Sequence, residues 1–297
     1  MSISKIKQKL GLLAYMSFYF VSNNLSNSYF LMLMFIANSA GTQYGISRMQ
    51  KLDLVRKVRK NTKIIKSLSS WQQHLLLIEE IFQVPKSLGG DVIECGCYEG
   101  ASTANLSLAC ALTNRKLIVC DSFEGLPKPR DDEKYVIHAD STDYYVWEEG
   151  EFSANLDNVK RNVERFGNIN VCQFVKGYFA DTLKNINTDA IVLVFEDADM
   201  ASSVEDCLRY LWPRLQEGCK FYSHEPWSID VVSLFYDKKW WWDNLKMKPP
   251  GFWGSGYGTA TGRSYSMLGY SKKFNAESIK KSGKKVVHLG SKGFEIE

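Results

Sequence analysis

The sequence reads GDVIECGCYEG at residues 90–100 and KLIVCD at residues 116–121, and these stretches indicate the fold class. Each contains an apolar strand that ends in an acidic residue, and a glycine-containing turn leads from the first strand into a helix of small residues. Glycines at 96 and 100 let the backbone pass close to a ligand, and the helix points its first amides at that ligand. Asp121, about twenty residues beyond the turn, lies where a ribose needs a hydrogen-bond acceptor. The pattern predicts a nucleoside-binding crevice at the carboxyl ends of parallel strands.

The spacing of the turn narrows the choice of nucleoside. The turn reads E-x-G-x-x-x-G, whereas dinucleotide enzymes use the closer G-x-G-x-x-G that cradles a pyrophosphate. A longer loop preceded by an acidic residue suits a ligand that carries an ammonium group, and S-adenosylmethionine is such a ligand. The alternative is a tight turn with packing glycines, and the placement of Asp121 argues against it.

Short apolar segments alternate with amphipathic segments from Asp91 onward, which predicts an α/β fold with a doubly wound, Rossmann-like parallel sheet. Residues 46–84 read as two helices, so the sheet carries an N-terminal helical extension. We expect three units: an apolar extension over 1–45, a helical cap over 46–90 and a nucleoside-binding domain over 91–297. Predicted strands cover 91–95, 116–121, 170–175, 189–195 and 218–223. Predicted helices cover 101–113, 152–166, 179–185, 201–214 and 227–237, and a last hairpin joins 264–271 to 284–289.

Two long loops are candidates for covering the site. Residues 122–150 form a long connection of the kind that usually covers an active site in α/β domains, and the Gly- and aromatic-rich stretch 249–262 is the second candidate.

Charge and cysteine content limit the partners and the compartment. The net charge is +4, and the one basic run, residues 51–66, has the spacing of an amphipathic helix. Contact of this run with nucleic acid or anionic lipid is the alternative, and we expect no nucleic-acid partner. The seven cysteines include no C-x-x-C pair, which favours reduced thiols and a cytoplasmic location.

The N-terminus allows three interpretations. Lysines 5, 7 and 9 precede the apolar run 10–21, and a second apolar run covers 29–37. Each run is shorter than the helix of about twenty residues that spans a bilayer. Residues 1–45 are a helical cap or homo-oligomer element, a peripheral membrane anchor, or a signal peptide. Secretion would separate the protein from S-adenosylmethionine, which argues against the last.

With these motifs in view, the chain resembles the macrocin O-methyltransferase family over residues 85–225. The resemblance rests on GDVIECGCYEGAS, VCDSFEGLP at 119–127, NVKRNVERFG at 158–167, FVKGYFADTL at 174–183 and FEDADMASSVEDCLRYLWPRL at 195–215. It implies a class I, S-adenosylmethionine-dependent methyltransferase that transfers a methyl group to a hydroxyl, typically on a sugar of a natural product. It also implies a set of cofactor-binding residues: Glu94, Gly96, Gly100, Ser102, Asp121, Ser122, Tyr178 and Phe179.

The resemblance further implies a metal site with an adjacent base. In the family the first aspartate of the D-A-D motif binds a divalent metal and the second is a candidate base. These positions are Asp197 and Asp199 here. Two further aspartates complete the family's site, and this sequence departs there, because Ser223-His224-Glu225 stands in their place. Asp197, Glu225 and His224 are therefore the candidate ligands for Mg²⁺ or Mn²⁺. The base is Asp199 or His224, and a strand end that binds no metal is the alternative.

These residues lead us to expect an O-methyltransferase acting on a sugar or a glycosylated small molecule. The aromatic run 240–242, with Phe252, Trp253 and Tyr257, is a candidate stacking surface for the sugar, although core packing explains such aromatics at least as well. One rival is a methyltransferase for a phenol or a carboxylate. The other is a scaffold that binds the cofactor at a membrane without turnover.

Overall fold

A computed structural model describes residues 28–137, 144–256, 258–261, 264–265, 267–274, 286–288 and 294–296. Its centre is a sheet of six strands: β1 (Asp91–Cys95), β2 (Leu117–Asp121), β5 (Cys172–Lys176), β6 (Ile191–Glu196), β7 (Leu215–Ser223) and β10 (Gly269–Lys272). Their order in the sheet is β10-β7-β6-β1-β2-β5. The first five pair in parallel, whereas β10 pairs antiparallel with β7.

The strand order reverses at β1, because β2 lies on one side of β1 and β6 on the other. In open α/β sheets ligands bind at such a reversal, outside the carboxyl ends of the strands. Asp121 closes β2 and Glu196 closes β6, so an acidic residue stands at the carboxyl end of a strand on each side of the reversal.

Helices cover both faces of the sheet. They are α1 (28–37), α2 (Arg48–Ile64), α3 (Trp71–Gln83), α4 (Ala101–Thr113), α5 (Leu156–Phe166), α6 (Phe179–Thr182), α7 (Ala201–Leu211), α8 (Ile229–Leu234) and α9 (Lys238–Leu245). The predicted α/β fold is confirmed, as are the two helices expected within residues 46–84. The predicted helices over 201–214 and 179–185 are each observed as a shorter α-helix followed by a 3₁₀ turn.

The basic run lies mostly on α2 and behaves as an amphipathic helix. Leu54, Val55 and Val58 are buried, while most of its Lys and Arg side chains are exposed. A buried polar chain joins α2, α3 and α4, since Asn61 donates to Asn105 at 2.9 Å and the Asn105 amide lies 2.8 Å from His74 Nδ1. Burial lowers the pKa of His74 to about 4, so this imidazole is neutral at physiological pH.

The predicted C-terminal hairpin is wrong. Residues 269–272 pair with β7 as strand β10, and Val286–His288 (β11) pairs with Phe294–Ile296 (β12). Two further short hairpins pair β3 (Tyr135–Ile137) with β4 (Tyr144–Val146) and β8 (Ala260–Thr261) with β9 (Ser264–Tyr265). Sequence alternation did not identify β10 as an edge strand because its partner lies about fifty residues upstream, and long-range pairing leaves little local signal.

The predictions for residues 1–27 lie outside the described residues. Within the described ranges, none of the helices combines the length and apolarity needed to cross a membrane. All seven cysteines are free thiols and six of them are buried, which agrees with the expected reduced state.

Candidate active site

A cavity of about 650 Å³ opens at the carboxyl ends of β1, β2, β6 and β7. Its walls come from the turn after β1, the loops after β2 and β5, the D-A-D turn after β6 and the residues after β7. The volume lies within the range of about 300–1,000 Å³ that is usual for small-molecule sites. Of the predicted site residues, it is lined by Gly96, Ser102, Asp121, Ser122, Tyr178, Phe179, Asp197, Asp199 and His224.

Asp121 joins the two loops that flank the nucleoside side of the cavity. Its Oδ2 accepts a hydrogen bond from Cys97 N and its Oδ1 accepts one from Phe123 N, both at 2.7 Å. Each carboxylate oxygen keeps a further lone pair, so these bonds leave acceptor capacity toward the cavity. The side chain therefore fixes the shape of the site and presents an acceptor at the same time.

Two predicted cofactor residues do not line the cavity. Glu94 is fully buried, and burial raises the pKa of its carboxyl to about 8. Gly100 is the N-cap of α4 at φ 84°, and a Cβ on it would meet the Val159 side chain at 2.9 Å. Their predicted part in the cofactor site therefore stays a prediction. Both residues lie behind the cavity wall, because the strand and the helix start bury them.

Asp197, His224 and Glu225 converge at the end of the sheet where β6 and β7 are neighbours. Their candidate ligand atoms all lie within 4.8 Å of one another. His224 Nδ1 is 3.1 Å from Asp197 Oδ1 and 3.5 Å from Glu225 Oε1. The structure thus brings together the three predicted ligands, with Asp197 and His224 at the cavity wall and Glu225 fully buried beneath them.

Glu196, Asp197, Asp199 and Glu225 form an acidic cluster around His224. Burial and mutual charge change the pKa values within this cluster. Burial raises the pKa of Glu196 to about 7 and raises the pKa values of Asp199 and Glu225 well above the usual range. Burial opposes protonation of His224, but the Asp197 carboxylate outweighs it together with the other acidic contacts, so the net His224 pKa is raised. Groups with raised pKa values that meet in one cluster are suited to exchanging protons near neutral pH.

Unusual backbone conformations gather at the same cavity. Tyr98, Phe152 and Asp199, all on its wall, have φ angles of 47°, 57° and 62°. Positive φ is uncommon outside glycine, and the aromatic residues tolerate it less well than Asp. Such conformations persist where the surrounding structure over-determines them, and they are frequent at functional sites.

An aromatic wall lines part of the same cavity, and sequence reasoning missed it. It consists of Tyr98, Tyr145, Trp147, Phe152 and Trp227. Tyr145 and Trp147 lie in the predicted covering loop, with ring centroids 4.7 Å apart. The YYVW run at 144–147 was a signal that could have identified them.

The aromatics predicted for sugar stacking lie elsewhere. Trp241 is buried and packs edge-on against Trp212 at 5.0 Å, and the described parts of 240–242 and 249–262 are absent from the cavity wall. Core packing therefore accounts for Trp241, and Tyr257 lies outside the described residues.

Two solved structures with a similar fold are named as methyltransferases. The structure of the O-methyltransferase NovP matches 84% of this chain and all of that chain, with a TM-score of 0.52 and 19% identity. The structure of CalS11, a calicheamicin methyltransferase, matches 76% of this chain and 93% of that one, with a TM-score of 0.52 and 14% identity. At these identities the likeness shows the fold.

Two curated proteins of similar sequence are also named as O-methyltransferases. The 8-demethyl-8-(2,3-dimethoxy-alpha-L-rhamnosyl)-tetracenomycin-C 4'-O-methyltransferase of Streptomyces olivaceus is 32% identical over 147 residues, which is 48% of this chain and 54% of the relative. The mycinamicin III 3''-O-methyltransferase of Micromonospora griseorubida is 29% identical over 133 residues, 43% of this chain and 52% of the relative. The chain thus spans about half the length of the curated relatives it matches. The sequence model of the macrocin-O-methyltransferase (TylF) family matches residues 72–222, half of this chain, and the protein belongs to that family.

Proposed function

We propose that this protein is an S-adenosylmethionine-dependent O-methyltransferase that methylates a hydroxyl of a sugar or a glycosylated small molecule. One observation carries the proposal: a single cavity joins the glycine turn and Asp121 on one side to the Asp197–Asp199 turn and His224 on the other. A methyl donor and a hydroxyl acceptor need such a shared space, because the transfer depends on aligning the oxygen, the methyl carbon and the sulfur. The rhamnosyl group in the name of the Streptomyces olivaceus relative supports the choice of acceptor class.

The cofactor occupies the side of the cavity formed by the turn after β1 and the loops after β2 and β5. S-adenosylmethionine supplies the activated methyl group. Asp121 accepts hydrogen bonds from the ribose, Gly96 and Ser102 border the methionine part, and Tyr178 and Phe179 border the adenine. The exposure of these side chains to the same cavity supports the assignment.

The acceptor hydroxyl lies against the acidic cluster. Asp199 is the base, since burial raises the pKa of its carboxyl and so makes the carboxylate a stronger proton acceptor. Its position on the cavity wall, next to Asp197, supports this assignment. His224, held by Asp197 at 3.1 Å, is the alternative base if no metal binds.

A divalent cation fits the donor set at the cluster. Asp197, Glu225 and His224 would hold it, and it would lower the pKa of the acceptor hydroxyl. Two carboxylates with one imidazole favour Mn²⁺ over Mg²⁺, because imidazole suits transition metals whereas Mg²⁺ prefers oxygen ligands.

The cation assignment predicts a binding preference that can be measured without turnover. Titration of the purified protein with Mn²⁺, followed by electron paramagnetic resonance, should show one bound ion, and Mg²⁺ should compete weakly. His224→Asp should shift the preference toward Mg²⁺, whereas Asp189→Asn, an exposed change before β6, should leave both affinities unchanged. Full activity after exhaustive chelation would exclude a catalytic cation and leave His224 as the leading base.

The acceptor class is tested with a labelled methyl donor and a native metabolite or glycan extract. Mass spectrometry should find a methyl gain on a glycosylated compound, together with S-adenosylhomocysteine. A methyl gain on a phenol or a carboxylate would replace the sugar assignment. Cofactor binding without turnover across broad acceptor pools would favour the scaffold instead.

Asp121→Ala should weaken S-adenosylmethionine binding by tenfold or more, about 1.5–3 kcal/mol, because hydrogen bonds to a charged group are lost. Asp121→Asn should weaken it less, since the amide oxygen still accepts one bond. Isothermal titration calorimetry measures both, with Asp189→Ala as the surface control. Unchanged affinity in folded Asp121→Ala would rule out the ribose role.

The exposed side of α1 is the proposed membrane contact. Tyr29, Phe30, Leu33 and Met34 are 41–65% exposed and follow helical spacing. The neighbouring α2 carries exposed Lys and Arg side chains, and Lys51 on α2 donates to Asn38 just after α1 at 2.8 Å. An apolar helix face beside basic residues fits an anionic lipid surface.

Vesicle flotation tests this contact. The full chain should float with phosphatidylserine vesicles at low salt, and Leu33→Ser with Met34→Ser should reduce binding by about tenfold or more. Met49→Ser, an equally exposed apolar side chain on α2, is the matched control. If the wild type stays unbound and light scattering shows a dimer that the double variant lacks, the face is a contact between copies instead.

A further inference from the structure

Glu133 lies in the covering loop, outside the cavity wall, yet it is only 4% exposed. Its carboxylate accepts two hydrogen bonds from one residue of α7, from Ser202 N at 2.9 Å and from Ser202 Oγ at 2.7 Å. It also accepts a bond from Arg130 N at 3.1 Å, and Arg130 lies 3.4 Å from it as an ion pair. A carboxylate this deeply buried is retained only when such donors satisfy it.

The contact supplies a cap that α7 lacks. The N-cap residue of α7 is Met200, whose side chain makes no capping bond. Ser202 lies in the first turn, where helix amides have no intrahelical partner and a negative charge is stabilised. Glu133 therefore provides the missing acceptor from a distant part of the chain, directly after the Asp197–Asp199 turn.

The same loop carries part of the aromatic wall. The backbone carbonyl of Lys134, the next residue, accepts a hydrogen bond from Trp147 N at 3.0 Å. Trp147 packs with Leu126 and Met200 in a small apolar cluster. The hairpin that presents Tyr145 and Trp147 is thus joined to the start of α7 through residues 133 and 134.

We infer that Glu133 is a positioning residue that holds the aromatic wall of the covering loop in place against the Asp197–Asp199 turn. This inference rests on the proposed function in one respect: the part of the aromatic wall that the covering loop supplies, Tyr145 and Trp147, is taken as the acceptor side of the cavity. Glu133 acts on acceptor binding through Ser202 and the hairpin. It leaves the cofactor-side residues Gly96, Asp121 and Tyr178 unchanged, because they lie at the ends of β1, β2 and β5 and not in the hairpin.

Hydrogen–deuterium exchange tests the contact between Glu133 and Ser202 without any acceptor. Glu133→Ala should raise exchange in peptides covering 126–137, 144–151 and 200–204, and leave α2, α3 and β1 at wild-type protection. Asp131→Asn, an exposed acidic residue of the same turn, should behave as wild type. Unchanged exchange in Glu133→Ala, or an equal rise throughout the chain, would overturn the inference whether or not methyl transfer is found.

Steady-state kinetics test whether loss of the Glu133 contact weakens binding of the acceptor that the wild type methylates. Glu133→Ala should raise the KM for the acceptor about tenfold or more, as expected for lost hydrogen bonds to a charged group. The Kd for S-adenosylmethionine should stay within twofold. Glu133→Gln should recover part of the loss, because its amide oxygen still accepts from Ser202. Parallel losses in acceptor KM and cofactor Kd would contradict a positioning role, whereas an absence of turnover in the wild type would contradict the proposed function alone.

Discussion

Asp197→Asn should lower turnover by about 10²–10⁴-fold, the range of a lost acid–base or charge-stabilising group, while S-adenosylmethionine still binds. Asp197 faces the cavity and holds His224 Nδ1 at 3.1 Å. The change removes one charge at nearly constant volume, so the candidate cation loses a ligand and His224 loses the carboxylate that most raises its pKa. Steady-state kinetics, calorimetry with the cofactor and Mn²⁺ binding are the three measurements.

Asp199→Asn distinguishes the proposed base, Asp199, from the proposed metal ligand, Asp197, in the same turn. It should lower turnover comparably, since the proposed base is lost, yet keep Mn²⁺ affinity within about twofold because Asp199 is outside the converging group of ligands. If Asp197→Asn retains full turnover, neither a cation at this cluster nor an Asp197–His224 pair contributes to the reaction. Equal loss of Mn²⁺ affinity in both variants would instead assign Asp199 to the ligand set.

The part of the site that sequence could predict is the part encoded by neighbouring residues. β1 and α4 have the predicted bounds of 91–95 and 101–113, because an apolar run, a glycine turn and small residues specify them locally. The meeting of Asp197 with His224 was also predicted, since parallel strands place their carboxyl ends at one edge. In both cases a short motif determines the geometry.

The remainder depends on tertiary packing that no short motif records. Glu94 follows the pattern of a ligand-facing acid, yet the strand buries it. Trp241 lies in an aromatic run of the kind that lines sugar sites, but it packs on Trp212. Glu133 and Ser202 are 69 positions apart in the chain, and only the docking of the covering loop brings them together. The aromatic wall was missed for the same reason.

Gly96 lies where the turn after β1 meets the backbone of Asp197 after β6. It has φ 84°, and a Cβ added there would lie 1.9 Å from the carbonyl oxygen of Asp197. Cys95 O also accepts a hydrogen bond from Asp197 N at 2.8 Å, so the backbone after β6 has little freedom to retreat. A side chain at 96 must therefore push the D-A-D turn away from the turn after β1.

Gly96→Ala should lose both stability and turnover, and Gly218→Ala separates the two causes. Gly218 has a similar φ of 80° but nothing within 4 Å of an added Cβ, so it reports backbone strain alone, about 1–2 kcal/mol. Gly96→Ala should add an overpacking cost of about 1–3 kcal/mol. The melting temperature of Gly96→Ala should therefore lie below that of Gly218→Ala, by roughly 2–4 °C for each kcal/mol of additional lost stability. Only Gly96→Ala should also reduce S-adenosylmethionine affinity and turnover, because only there does the displaced backbone carry Asp197. Equal melting temperatures, or wild-type turnover in Gly96→Ala, would show that the two turns do not depend on this close approach.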